Sequence, residues 1–287
     1  MEQQLILERM ETDLKLRNRA PNTLVAYRKN IIRYLGFIDR SIDETDEEDI
    51  RAFIEHLIEF DYQPTTTNNY LSSVLFMYEV TLNRPMNRRL VPFMKIKEKP
   101  VELLNREEIA AIFESTDRLD HRSTFMLAYS AGLRLSEIRH LRTKDLDSSD
   151  MRIHVTNSKR SKSRYTLLSP ACLDILRAYW KAYRPDSSEG WVFPKRKDST
   201  KPADYAPLQK AFGKALNACN IKKNASFHTL RACFATHLLE TGVDLFVIKE
   251  LMGHASIIST VRYLHLANVG KDVTSPLDTL IKGGFYV

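Results

Sequence analysis

Through the first 90 residues, apolar side chains return every three or four positions, the repeat of a helix that buries one face. Four such segments follow one another. The first covers Gln3–Leu16. A polar break at 18–22, with Pro21, precedes a second segment, opening at Thr23, that places Leu24, Tyr27, Ile31, Ile32 and Leu35 on one side. The acidic run DETDEED leads into a third, striped by Ile50, Phe53, Ile54, Leu57 and Ile58. QPTTTNNYLSSVLFMYEVTL makes the fourth, with Thr65, Thr66 and Thr67 as capping residues. Residues 1–91 are therefore expected to form a compact four-helix domain.

The pattern then changes. RPMNRRLVPFMKIKEKPVE is rich in proline and basic side chains, the composition of an exposed interdomain linker, which we place at 92–103. Its Arg84, Arg88, Arg89, Lys95 and Lys97 suit a phosphate backbone, and equally suit plain solvation. A second domain is expected over 104–274. Asn105 and Glu108 have capping-box spacing, and HRSTFMLAYSAGLRLSEIRHLR carries two helical patterns broken at Gly132. MRIHVTNSKRSKSRYTLLS alternates apolar and polar positions on both sides of a basic tip, as a β-hairpin does. Helical patterns resume at Pro170 and run to about Leu266. The fold class is thus mainly α, with one small antiparallel sheet in the second domain and an apolar tail at 275–287.

Charge sharpens this picture. The formal net charge is +7, and residues 1–100 hold 15 basic and 16 acidic side chains against 28 and 20 in the remainder, so the excess sits in the second domain. An anionic partner fits that asymmetry. Cys172, Cys219 and Cys233 show no C-x-x-C spacing, and no apolar run nears the roughly 18 residues of a membrane span. A cytoplasmic protein, associated with the nucleoid when it acts, is the expectation.

Single motifs decide little. His228 and Arg231 in FHTLRACFATHLLETG are three apart and share a helical face, an offer that suits a phosphodiester but also an ordinary solvated surface. Arg134 in SAGLRLSEIRHL follows a glycine, with Glu137 three residues on to hold it or a neighbour, or merely to pair along a helix. The hairpin tip offers Lys159, Arg160, Lys162 and Arg164 without an acid among them, and Arg160, Lys162 and Arg164 are expected to contact DNA phosphates there, although a charged turn equally suits solvent.

Taken together and in order, AGLRLSEI, the hairpin lysine, HTLR, LMGH and a tyrosine nine residues beyond that histidine resemble the tyrosine recombinase family of phage integrases and Xer-type recombinases. The resemblance covers the second domain, and the helical first domain with its basic linker matches the family's architecture. It implies an N-terminal core-DNA-binding, SAM-like domain and a catalytic domain in which Arg134 and Arg231 clamp the phosphate. His228 and His254 would be supporting imidazoles and Tyr263 the nucleophile. Lys159 is similar to the family's general-acid lysine. Ser158 and Arg160 replace the glycines that often flank it, so Lys162 stays open as a substitute. Glu137 matches a supporting acidic position.

The chemistry implied needs no nucleotide cofactor or divalent metal, because fixed guanidiniums meet the charge that gathers on phosphate oxygens and a phosphotyrosine conserves the bond energy. A tyrosine has an ordinary pKa near ~10 and needs cationic surroundings or a base. The expected substrate is double-stranded DNA bearing a specific site, clamped between the two domains and worked on by a homotetramer over two sites, with accessory DNA-bending proteins as further partners. The tail at 275–287 would dock on a neighbouring protomer or fold back. A type IB topoisomerase and a noncatalytic DNA-binding regulator are the competing readings. If basic side chains track phosphates, affinity for duplex DNA falls steeply between ~50 and ~200 mM salt; a flat titration by fluorescence anisotropy contradicts this.

Overall fold

The computed structural model describes residues 3–96, 102–156, 163–185 and 189–267. Two compact units divide the chain, Met1–Lys99 and Pro100–Val287. In the first, α1 (Gln3–Leu16), α2 (Pro21–Leu35), α3 (Glu47–Glu59) and α4 (Pro64–Phe76) enclose a core that includes Ile6, Met10, Ile31, Tyr34, Phe53 and Val74. Pro21 and Pro64 occupy first helical positions, where a missing N–H costs nothing. The acidic run caps α3. Asp46 accepts from the backbone of Glu48 at 3.0 Å, and Asp49 accepts from the Asp46 N–H at 2.8 Å, so carboxylates gather at the positive end of the helix dipole. Tyr34 and Tyr78 are fully buried because their hydroxyls bond each other at 2.7 Å and Tyr78 meets Thr45 at 2.6 Å.

Two expectations change here. Gln63, not a threonine, is the cap residue of α4, and Thr67 turns its hydroxyl back to the Gln63 carbonyl. The described start of the expected linker runs along the first unit: it follows the buried Val91, and the Asn68 amide both donates to and accepts from the Met94 backbone at 2.9 Å. That one side chain gives an irregular segment the partners a strand would have.

The second unit opens with α5 (Arg106–Glu114), whose Asn105–Glu108 capping box is formed with bonds of 2.7 and 2.8 Å. After it come α6 (Leu119–Ala131), α7 (Leu135–Arg139) and an antiparallel sheet of β1 (Leu146–Asp147), β2 (Arg152–Val155) and β3 (Arg164–Leu167) in that order. The hairpin register sets Val155 opposite Arg164 and Ile153 opposite Thr166. Ser169 caps α8 (Pro170–Tyr183). The helical run expected from Pro170 onward is interrupted by a second small sheet, β4 (Pro194–Lys195) with β5 (Asp198–Pro202), whose short, Lys- and Pro-rich strands carry no apolar alternation to announce them. Then follow α9 (Tyr205–Ala218), α10 (Phe227–Glu240), α11 (Leu245–Met252) and α12 (Ile258–Leu264).

The core of this unit joins Phe125, Leu127, Ile138, Ile153, Leu176, Phe212 and Leu230. Helix α10 crosses it and is buried nearly all round, Arg231 included, rather than presenting the polar face that its motif suggested. Close packing of α6 on α10 explains Gly132, which has φ +61° and whose position leaves no room for a Cβ beside the Phe234 ring. Gly132→Ala should therefore cost about 1–3 kcal/mol, read as a lower midpoint in denaturant unfolding; an unchanged midpoint refutes the packing argument.

Candidate active site

Gly132 turns the chain out of α6 so that Arg134 stands at the head of α7, one turn before Glu137. The Arg134 backbone N–H donates to one Glu137 oxygen at 2.8 Å and its guanidinium to the other at 2.8 Å. Arg164, the first residue of β3, donates to both oxygens at 3.0 and 2.9 Å. Arg231 brings a third guanidinium to 3.8 Å, and its own N–H groups donate to the carbonyls of Gly132 and Met252. One carboxylate with a side chain 6% exposed thus gathers three cations, of which Arg134 remains 37% exposed and Arg231 only 1%.

Ionisation follows from this crowding. Burial by itself raises the Glu137 carboxyl, but the Arg164 bonds and charge, with Arg134, bring it down to about 2. For Arg231, burial and then the Arg134 charge lower the guanidinium to about 9, still protonated at neutral pH.

The histidines and the tyrosine approach from the C-terminal helices. Helix α11 ends at Gly253 in the left-handed region, with φ +63°, and His254 follows directly. His254 Nδ1 lies 2.8 Å from the Thr260 hydroxyl, and its ring stacks on Tyr263 with centroids 6.2 Å apart and planes at 20°. Tyr263, 6% exposed, packs on α12 against an apolar group that includes Phe234, Ile248 and Met252, and it acts electrostatically on Arg231. Burial first, then the charges of Arg231, Arg134 and Arg262, lower His254 to about 4. His228, in the first turn of α10, is lowered in the same way, by desolvation first and then by the same three arginines. Burial and positive charge thus favour the neutral form of both imidazoles.

Comparison with known proteins matches this arrangement to a family. The phage integrase family profile matches residues 102–269, and the profile of the phage integrase N-terminal SAM-like domain matches residues 6–88. The chain belongs to the phage integrase family. A putative integrase/recombinase of Sinorhizobium fredii is 32% identical over 276 residues, 95% of this chain and 88% of that protein. A tyrosine recombinase of Thermosipho africanus is 30% identical over 270 residues, 89% of this chain and 93% of that one. Among solved structures, the Tn1549 transposon integrase in complex with circular intermediate DNA superposes with a TM-score of 0.73 at 17% identity, covering 97% of this chain and 98% of that chain, a likeness of fold.

Within this family member, Arg134, Glu137, Arg231, His254 and Tyr263 converge, and the charge of Arg134 and Arg231 reaches His228. Lys159, Arg160 and Lys162 lie outside the described residues, as do Lys97 and the tail at 275–287. Arg164 is corrected. Expected among phosphate contacts at the hairpin tip, it is 7% exposed and spent on Glu137 and the Leu251 carbonyl. Strand alternation carried the signal, because Arg164, Thr166 and Leu168 share the inward face, and an inward arginine requires a carboxylate. Arg262, beside the tyrosine on α12, was not singled out from the sequence, yet its charge is felt by both histidines. In the first unit, Arg84 donates to the Ile42 carbonyl at 3.1 Å and Arg88 grips Glu79 at 2.9 and 2.6 Å, while Arg89 and Lys95 are exposed.

Both acid-labile groups have folded values below their ordinary ones. The neutral His254 contributes fully above its ordinary 6.5, and that contribution is lost as pH falls towards about 4. Ionised Glu137 contributes above 4.5 and loses its share as pH falls towards about 2. Thermal unfolding should show a melting temperature that declines through both windows, and His254→Gln should shrink the upper decline while leaving the lower. Superimposable acid profiles for the two proteins contradict a neutral His254.

Proposed function

We propose that this chain is a site-specific DNA recombinase that cuts and rejoins DNA through Tyr263. The phenolic oxygen attacks a backbone phosphorus, the 5′-oxygen of the next nucleotide leaves, and a 3′-phosphotyrosine holds the broken end. A 5′-hydroxyl from a second duplex reverses the step and releases the tyrosine, so no bond energy is lost between cleavage and rejoining. Arg134 and Arg231 meet the charge that develops on the nonbridging oxygens, where it is worth most in a site screened from water. A neutral imidazole, His228 or His254, takes the phenol proton, and Lys159 or Lys162 protonates the leaving oxygen.

The observation that carries the reading is the buried carboxylate of Glu137 holding two of these guanidiniums, one of which also takes the Met252 carbonyl at the turn to His254, the ring that stacks on Tyr263. Double-stranded DNA is the partner. The transposon integrase with its circular intermediate DNA supports a role on mobile DNA. A homotetramer over two sites, assisted by DNA-bending proteins, supplies the second duplex; Arg84, Arg88, Arg89, Lys95, Lys97, Arg160 and Lys162 add contacts to phosphates.

A nicked duplex made from the genomic fragment that the protein selects by binding tests this. Wild-type protein should form an adduct that survives denaturant, and Tyr263→Phe should abolish it. Adduct without strand exchange between two sites indicates a topoisomerase, and no adduct at all a DNA-binding regulator.

A further inference from the structure

Arg164 has no part in the mechanism above, and burying a guanidinium is costly unless its partners require it. Its three donor nitrogens serve two separate elements. Nη1 and Nη2 take the two Glu137 oxygens at 3.0 and 2.9 Å, while Nε donates to the Leu251 carbonyl at 2.8 Å. Leu251 lies in the last turn of α11, where carbonyls have no helical partner and a cation opposes the negative end of the dipole. The next carbonyl, Met252, is taken by Arg231. Two arginines gathered at Glu137 therefore hold the end of the helix from which His254 emerges. Gly253 completes the contact, since a Cβ there would lie 2.7 Å from Cδ and 2.9 Å from Nε of Arg164. Two residues along β3, Thr166 donates to the Ala131 carbonyl at 2.8 Å, so the strand is also stitched to the end of α6, just before the turn that carries Arg134.

We propose that Arg164 is a positioning residue that locks Glu137, and through it Arg134, to the turn bearing His254. A planar fork can bridge a carboxylate and a carbonyl on different elements at once. A lysine ammonium keeps the charge but loses the fixed geometry. The inference rests on Tyr263 cleaving DNA, and it assigns to Arg164 the registration of the phosphate clamp against the imidazole and tyrosine.

The test measures affinity and adduct formation separately, on the same nicked genomic duplex, for wild type, Arg164→Lys and Gly253→Ala, with circular dichroism and melting to verify folding. Both variants should bind DNA within about twofold of wild type, yet at saturating DNA form adduct roughly tenfold to a hundredfold more slowly, the scale of loss when reacting groups are misplaced by ~1 Å. Full activity in Arg164→Lys shows that charge alone suffices and overturns the proposal. So does a parallel loss of binding and cleavage, which marks a direct DNA contact or general unfolding. Should Arg164→Lys fail to fold, Gly253→Ala decides alone, because it keeps the arginine in the chain while a Cβ at this left-handed position forces its side chain off the Leu251 carbonyl. Wild-type protein that forms no adduct brings down the Tyr263 reading and this inference with it, whereas wild-type activity equalled by both variants removes this inference alone.

Discussion

One carboxylate opposing three guanidiniums is the constraint on which the second unit is arranged. Glu137 can neutralise only one of Arg134, Arg164 and Arg231, which leaves a local excess of two positive charges in partly desolvated surroundings. Without it, Arg231 would sit buried beside two like charges; with it, the cluster tolerates burial but remains short of an anion. Burial, and after it the Arg134 charge, lowers the Arg231 guanidinium to about 9, where it is still protonated at neutral pH. In the proposed reaction a phosphodiester supplies the missing charge, and supplies more of it as a pentacoordinate phosphorus forms. The site is thus preorganised for the transition state rather than neutral at rest.

The elements that carry the site's arginines meet at this carboxylate. The turn after α6 brings Arg134 and Glu137, the inward face of β3 brings Arg164, α10 brings Arg231, and the end of α11 is fastened by carbonyl contacts to the last two. The two glycines on this circuit are fitted to it. Gly132 allows α6 to approach α10 and yields its carbonyl to Arg231, and Gly253 clears the space that Arg164 fills. Motif residues without side chains are therefore parts of the electrostatic arrangement, acting by what they leave empty.

The same cations set the proton chemistry. Desolvation, and after it guanidinium charge, favours the neutral form of His254 and His228, and the Tyr263 ring stacks on His254. Cleavage needs a phenol to lose a proton near fixed positive charge, and rejoining needs the reverse.

Much of this was legible in the sequence, for reasons of range. The helices of the first unit, the capping box at Asn105 and the hairpin are governed by contacts within a few residues, so their periodicity and caps announce them. Arg134, His228, Arg231, His254 and Tyr263 were singled out only through a family resemblance carried by the joint order of their motifs. The β4–β5 pair was not, because strands of two and five residues with lysine and proline have no hydrophobic repeat to detect. Arg164 was assigned to the wrong side of its strand's chemistry. A run of basic residues reads as a solvated tip, and only the pairing register decides which of them turns inward. Its partners lie 27 and 87 positions away, and such contacts leave no local trace in composition or spacing. Sequence alone determined which reactive side chains the chain carries and most of the helices that bear them. Tertiary structure alone decided which cation is buried, which is offered to solvent and which carboxylate unites them, because burial and long-range charge exist only once distant segments have packed.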